Sequence, residues 1–317
     1  MKDLDLKAAN AGKFVDPFVT ADGADRAVVP LEQPRTLWFN TGTLCNIECV
    51  NCYILSSPTN DDLVYLTAEE VTGYLDQLQE RQWPVTEIGF TGGEPFMNPD
   101  IIAMLRTTLE RGFEALVLTN AMQPMMRKRV QAGLLELREQ FGDNLTLRVS
   151  LDHYEAERHD QERGRGSFEH SLKGMHWLRF NRIRMAVAGR IEWHADEAAS
   201  RAGYGAFFDD NGFDIPADDP ARTVLFPEMD MSVEVPEITT ACWDILNKSP
   251  ADVMCASSRM VIKRKGDDSP SVAACTLLPY EQDFVLGTTL AEAERPVALN
   301  HPHCAKFCVL GGASCSA

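Results

Sequence analysis

Three cysteines, Cys45, Cys49 and Cys52, stand at C-x3-C-x2-C spacing just after an apolar run at 35–40. One loop of that spacing can wrap a cubic iron–sulfur cluster and give a thiolate to each of three irons. An electron-transfer cluster of four irons takes four cysteines, and the next cysteine here is Cys242. The fourth iron would then be an open, Lewis-acidic position, where metal sites do chemistry. Plainer readings compete. A zinc knuckle wants four Cys/His ligands at short spacing, and no His lies between Asn46 and Pro99. A disulfide framework would leave one of the three thiols unpaired. On the loop alone, cluster and zinc both stay open.

The remaining cysteines fall far away. None lies between 53 and 241, and six (Cys242, Cys255, Cys275, Cys304, Cys308, Cys315) lie in the last quarter. The gap points to two metal centres on two domains. Strand patterns at 260–263 and 271–274 around a turn at 266–270 predict a hairpin, which sets Cys255 and Cys275 side by side.

The elements that position the first loop alternate regularly. Strands are predicted at 35–40, 85–90, 115–118, 145–151, 183–191 and 223–226. Helices are predicted at 67–79, 99–111, 125–140, 167–180 and 196–211, the first opened by a capping box at Thr67–Glu70. Alternation with mostly apolar strands means a parallel sheet with helices outside. The fold class is α/β: a partial (β/α)6 TIM-type barrel, short of the eight units of a closed one, followed by a small α+β cysteine domain. The division is 1–34 (an N-terminal extension with a possible small hairpin at 18–29 and no assigned chemistry), 35–236 and 237–317.

In βα barrels, chemistry gathers at the carboxyl ends of strands, and the distinctive polar groups fall there. The cysteine loop follows strand one and Thr91-Gly92-Gly93-Glu94-Pro95 strand two. Thr119-Asn120 follows strand three, and Ser150-Leu-Asp152 ends strand four. Arg190 lies near the end of strand five, and Glu228 and Asp230 lie beyond strand six. Glycine pairs let main chain approach a ligand closely; a tight turn is the plainer reading. Glu228 and Asp230 are weak candidates for taking a proton from a substrate. The five histidines before residue 300 show no metal-ligand spacing.

Cys45-x3-Cys49-x2-Cys52-Tyr53 resembles the signature of the radical S-adenosylmethionine (SAM) enzymes. Gly92-Gly93-Glu94-Pro95 resembles their GGEP motif. The run from Ser150-Leu-Asp152 through His159-Asp160 to Arg163-Gly-Arg-Gly-Ser-Phe168 is similar to a segment of the subgroup of anaerobic sulfatase-maturing enzymes, with His153 in place of a glycine. The resemblance implies a [4Fe-4S] cluster whose open iron chelates SAM, and reductive cleavage of SAM to a 5′-deoxyadenosyl radical that abstracts a substrate hydrogen. It implies SAM contacts from Tyr53 (by the adenine), Gly92, Gly93, Glu94, Pro95, Asn120, Ser150 and Asp152. Main-chain carbonyls are the expected amine acceptors in the GGEP stretch if the Glu94 side chain faces away. Arg190 would bind the SAM carboxylate, which suits its planar two-point fork. Ala121 replaces the glycine of a common Thr-Asn-Gly. Arg163 and Arg165 could equally be a solvated cap, the more so Arg165.

The C-terminal region resembles the twitch, or shortened SPASM, domain that holds an auxiliary [4Fe-4S] cluster. Its cysteines are fewer and differently spaced. The ligands implied are Cys255, Cys275, Cys304 and Cys308, with Cys315 competing for the last place, Cys242 a spare thiol, and zinc the plainer alternative.

A formal charge of −17 argues against nucleic acid and anionic membranes as partners. Neither a signal-peptide run nor a stretch of ~18 apolar residues is present, so a cytoplasmic protein is expected. The function expected is oxidation of a small-molecule substrate, with an electron donor such as flavodoxin or ferredoxin. The alternatives are a peptide-modifying or C–C/C–S bond-forming enzyme, for which 34 residues before the barrel are short of a recognition domain, and a non-catalytic iron–sulfur carrier. A nucleotide-rearranging enzyme like the molybdopterin-precursor synthase would want a basic tail.

Overall fold

Strands buried on both faces need cover on each side, from helices outside the barrel and side chains within it, and mostly buried strands build this molecule. The computed structural model describes residues 10–191, 196–227 and 233–312. After a two-residue strand, β1 (Val28–Val29), six parallel strands follow: β2 (Thr36–Asn40), β3 (Glu87–Thr91), β4 (Glu114–Thr119), β5 (Leu145–Ser150), β6 (Arg184–Ile191) and β7 (Thr223–Pro227). The helices α1 (Ala68–Arg81), α2 (Ile101–Glu110), α3 (Lys128–Phe141), α4 (Ala156–Arg163), α5 (Ser167–Phe180) and α6 (Glu197–Asn211) lie in the connections, with α4 and α5 sharing the one between β5 and β6. The capping box forms: Thr67 Oγ1 accepts from Glu70 N at 3.2 Å, and Glu70 Oε2 from Thr67 N at 2.8 Å. Gly212 closes α6 with φ +64, the left-handed geometry that suits glycine at a helix end.

The C-terminal part is less separate than a division at 237 implies. A short helix, α7 (Cys242–Leu246), leads to β8 (Ser258–Ile262) and β9 (Ser271–Ala273), the predicted hairpin, with Met260 opposite Ala273. The strand β8 also pairs parallel to β2, with Trp38 opposite Met260. Including β10 (Val285–Gly287), one nine-stranded sheet runs β10-β9-β8-β2-β3-β4-β5-β6-β7. All five residues of β8 and of β2 are buried, so β8 suits an interior position and covers an edge that would otherwise offer unpaired main chain.

The predicted N-terminal hairpin reduces to one bridge, Val19 to Asp25. The strand β1 instead pairs antiparallel with β11 (Val297–Ala298). Arg26 and Glu237 form a buried ion pair at 2.6 Å, fastening the N-terminal segment to the far end of the chain. Among the described residues, no helix is long and apolar enough to cross a membrane.

Candidate active site

The loop after β2 lies across the carboxyl ends of the strands. Cys45, Cys49 and Cys52 line one cavity of about 160 Å³ with Tyr53, Gly92, Gly93, Asn120, Ser150, Asp152 and Arg190. The sequence motifs from five strand ends thus converge. Glu228 and Asp230 lie outside the described residues.

Glu94 and Pro95 sit behind this cavity rather than on its wall. The Glu94 carboxylate is buried and spent: it accepts from Thr119 Oγ1 and Asn120 N, each at 2.8 Å, and from Phe96 N at 3.2 Å. Its role is to tie the end of β3 to the end of β4. Burial pushes its pKa up to about 7 against the pull of those bonds.

The glycines serve the loop as much as any ligand. A Cβ on Gly93 would lie 2.2 Å from Leu44 O, and one on Gly92, at φ +137, 2.5 Å from Gly42 O. The turn after β3 therefore packs main chain to main chain against the root of the cysteine loop. Gly93→Ala is expected to cost about 1–3 kcal/mol by overpacking, read from urea unfolding; an unchanged midpoint would mean that the loop root yields freely. Ala121 keeps the left-handed φ of +58 that glycine would favour, whereas His153 is not among the residues with positive φ.

Asp152 is the electrostatic centre. Arg163 Nε reaches Asp152 Oδ2 at 2.7 Å, and Arg190 Nε reaches Oδ1 at 3.2 Å. Burial alone would raise this carboxyl, but Arg163 and then Arg190 hold it down at about 2. Arg190 Nη2 donates to Asn51 O at 2.8 Å, and its guanidinium lies over the Tyr53 ring at 5.0 Å. Its Nη1 is buried without a hydrogen-bond partner. Two of its three nitrogens are thus already engaged, and the third is buried without a partner.

Arg163 also lines the cavity, so the solvated-cap reading fails for it, while Arg165 is exposed. Arg163 ends α4, a helix the sequence pattern did not reveal because its eight residues are almost all polar. That helix steadies the cysteine loop: Val50 N donates to Glu162 O at 2.8 Å, and Asn51 Nδ2 to the Glu162 carboxylate at 3.0 Å. The need to balance Asp152 inside an apolar mouth was the one signal that could have singled Arg163 out.

His159, on α4, is fully buried with neither ring nitrogen hydrogen-bonded, its ring edge-on to Phe168. Burial, then the Arg163 charge, lowers its pKa from 6.5 to about 4. The unfolded chain therefore takes the proton first as pH falls. Stability is complete above pH 6.5 and is lost between 6.5 and 4, by about 3 kcal/mol. Glu94, shifted upward, acts in the opposite sense between 4.5 and 7, so the comparison must be with a variant. His159→Phe is expected to remove the acid loss, seen as a flatter stability profile from pH 6.5 to 4; parallel profiles would refute a neutral buried imidazole.

The thiols suit metal. Burial, aided by the charges of Glu94 and the two other cysteines, pushes Cys45 to about 12, so its thiolate needs a cation to form. Ser56 N donates to Cys52 Sγ at 3.2 Å, and Asn120 Nδ2 approaches Cys45 Sγ at 3.9 Å. Hydrogen bonds to ligand sulfurs are one control on cluster potential.

Cys255, Cys275, Cys304 and Cys308 line a second, small apolar cavity with Met254, Phe284 and Val297. Cys304 and Cys308 lie on a wide π-helical turn, Cys304–Leu310. Burial and the neighbouring Cys275 and Cys255 push the Cys304 thiol well up. Cys242 stands apart, its Sγ accepting from Thr239 N at 3.4 Å. Cys315 lies outside the described residues. Between Cys304 and Cys308, Phe307 meets Tyr53 edge-on at 5.7 Å and Phe226 at 5.5 Å. One aromatic group therefore touches the chain at both cysteine sites, and Phe226, Thr276 and Leu277 extend the first cavity toward the second. Among the described residues, no three His, Cys, Asp or Glu side chains converge as on a single ion.

Residues 39–189 match the model of the radical SAM superfamily. Nearly half of the chain is thus similar to the radical SAM superfamily. That superfamily works with a [4Fe-4S] cluster and SAM, and its SPASM/twitch branch adds auxiliary clusters. The chain is 30% identical over 188 residues to the antilisterial bacteriocin subtilosin biosynthesis protein AlbA of Bacillus subtilis, covering 58% of the chain and 39% of that protein. It is 28% identical over 152 residues to an AdoMet-dependent heme synthase of Methanosarcina barkeri, covering 46% and 39%. The matches thus span about two-fifths of each relative. The structure of native anSMEcpe with bound AdoMet and Kp18Cys peptide shares the fold, with a TM-score of 0.58, 13% identity, and coverage of 86% of this chain and 83% of that one. The residues present fit the family's groups: three thiols on one wall, main chain at Gly92 and Gly93, and the unsatisfied Arg190 Nη1.

Proposed function

We propose that this radical SAM enzyme holds its catalytic cluster on Cys45, Cys49 and Cys52 and an auxiliary one on Cys255, Cys275, Cys304 and Cys308. When bound, the cluster and SAM supply a 5′-deoxyadenosyl radical that removes a hydrogen atom from substrate. The chain's own residues bind and orient. Main-chain carbonyls at Gly92–Gly93 would hold the methionyl amine, and Arg190 would pair with the carboxylate. Tyr53 and Phe226 wall off water, while Asp152 keeps both arginines charged and placed. The reaction would be oxidation of a small molecule, for which a cluster on the later cysteines would supply an electron acceptor and a flavodoxin- or ferredoxin-type protein the first electron. The observation that carries this reading is the convergence of the three cysteines, the glycine pair and Arg190 on one cavity.

A second reading, peptide modification, is favoured by the bacteriocin-biosynthesis relative and by the peptide in the anSMEcpe structure; the heme synthase favours the first. Anaerobic incubation with dithionite and SAM is expected to yield 5′-deoxyadenosine, and none after iron reconstitution would leave an electron carrier. Stimulation by the small-molecule filtrate of a host extract supports the first reading; stimulation by a protease-sensitive retentate supports the second.

A further inference from the structure

Arg259, on β8, is only 1% exposed. Its guanidinium donates to main-chain oxygens: Nε to Ala293 at 2.8 Å, Nη1 to Ser258 at 2.8 Å and to Cys255, and Nη2 to Arg295 at 3.3 Å. Among the described residues it has no ion pair with a carboxylate, whereas the buried Arg26, Arg163 and Arg190 each have one. A buried cation without counter-charge is costly, and carbonyl dipoles spread that cost without cancelling the charge. Its bond to Cys255 O ties it to the main chain that carries one of the four cavity cysteines, and Cys255 and Cys275 lie near enough to push its pKa up against the larger effect of burial.

We propose that Arg259 is the built-in counter-ion of the auxiliary centre and raises its reduction potential. The inference rests on the assignment of that centre to Cys255, Cys275, Cys304 and Cys308. Four thiolates on a four-iron cluster leave a net negative charge, and one-electron reduction makes it more negative by one. A fixed cation in a dry setting stabilises the reduced form more than the oxidised one. The oxidised centre is thereby a better electron acceptor, as substrate oxidation requires.

The test uses the full-length chain carrying Ala at Cys45, Cys49 and Cys52, reconstituted anaerobically so that the auxiliary centre alone titrates. Its potential is followed by electron paramagnetic resonance during reduction with dithionite. Arg259→Gln is expected to make reduction at least tenfold less favourable, about 59 mV more negative for one electron, and Arg259→Lys to stay near the parent. Arg259→Met, neutral and unbranched, is expected to shift the potential in the same direction, and it decides the matter if Arg259→Gln does not fold. Unchanged potentials in the Gln or Met variant, or equal shifts in the Lys and neutral variants, would overturn the proposal. Absence of iron from the parent would instead refute the auxiliary-site assignment.

Discussion

Replacing Cys45, Cys49 and Cys52 together with alanine is expected to abolish 5′-deoxyadenosine formation and to leave about four of roughly eight irons per chain. Among the described residues, no other one lining that cavity donates a thiol, so a complete loss is expected. The second cavity is built by residues more than two hundred positions later and should keep its cluster. Iron analysis and chromatography of the nucleoside product check both halves. Residual turnover would move the catalytic centre elsewhere, and a variant free of iron would mean that the four later cysteines hold none.

Asp152→Asn should be the most destabilising single change at the barrel mouth. Its carboxylate lies between two guanidiniums, with side-chain exposures of 6%, 13% and 12% for Asp152, Arg163 and Arg190. The amide preserves shape but leaves two like charges facing each other with no anion between them. Removing one partner of a buried pair typically costs 3–5 kcal/mol. Urea unfolding of the apoprotein should show the midpoint fall with little change in slope. A loss below about 1 kcal/mol would be the behaviour of a solvated surface pair and would contradict the closed mouth. The acid limb should change too. With its pKa held at about 2 in the fold against 3.8, Asp152 contributes stability that is complete above pH 3.8 and vanishes toward pH 2. The variant should lack that decline.

The barrel was legible because its strands are apolar and its polar groups gather at one end of each. The alternation from Thr36 to Pro227 and the helix ends at Thr67 and Gly212 follow from local rules. What escaped were features that only tertiary contact defines. Helix α4 has a single fully buried side chain, His159, so no apolar period announced it, and Arg163 at its end went unclaimed. Glu94 looked like a ligand contact from its motif, yet its partners Thr119 and Asn120 lie on the next strand. The hairpin after Cys255 was readable as a hairpin, but its second pairing, to a strand two hundred residues earlier, leaves no local trace beyond the apolar run Met260-Val-Ile262.

That second pairing sets a rule for how the molecule can vary. The first set of thiols follows β2, and two of the second set flank the hairpin paired to it, Cys255 before β8 and Cys275 after β9. With Trp38 opposite Met260, a slip of one residue would turn every side chain of β8 to the wrong face. The nearest tolerated slip is two residues, roughly 6.6 Å along the strand. The gap between the two centres is therefore stepped rather than continuously adjustable. Variants of this architecture should keep it or change it by whole increments, adjusting reactivity through the side chains around each centre instead.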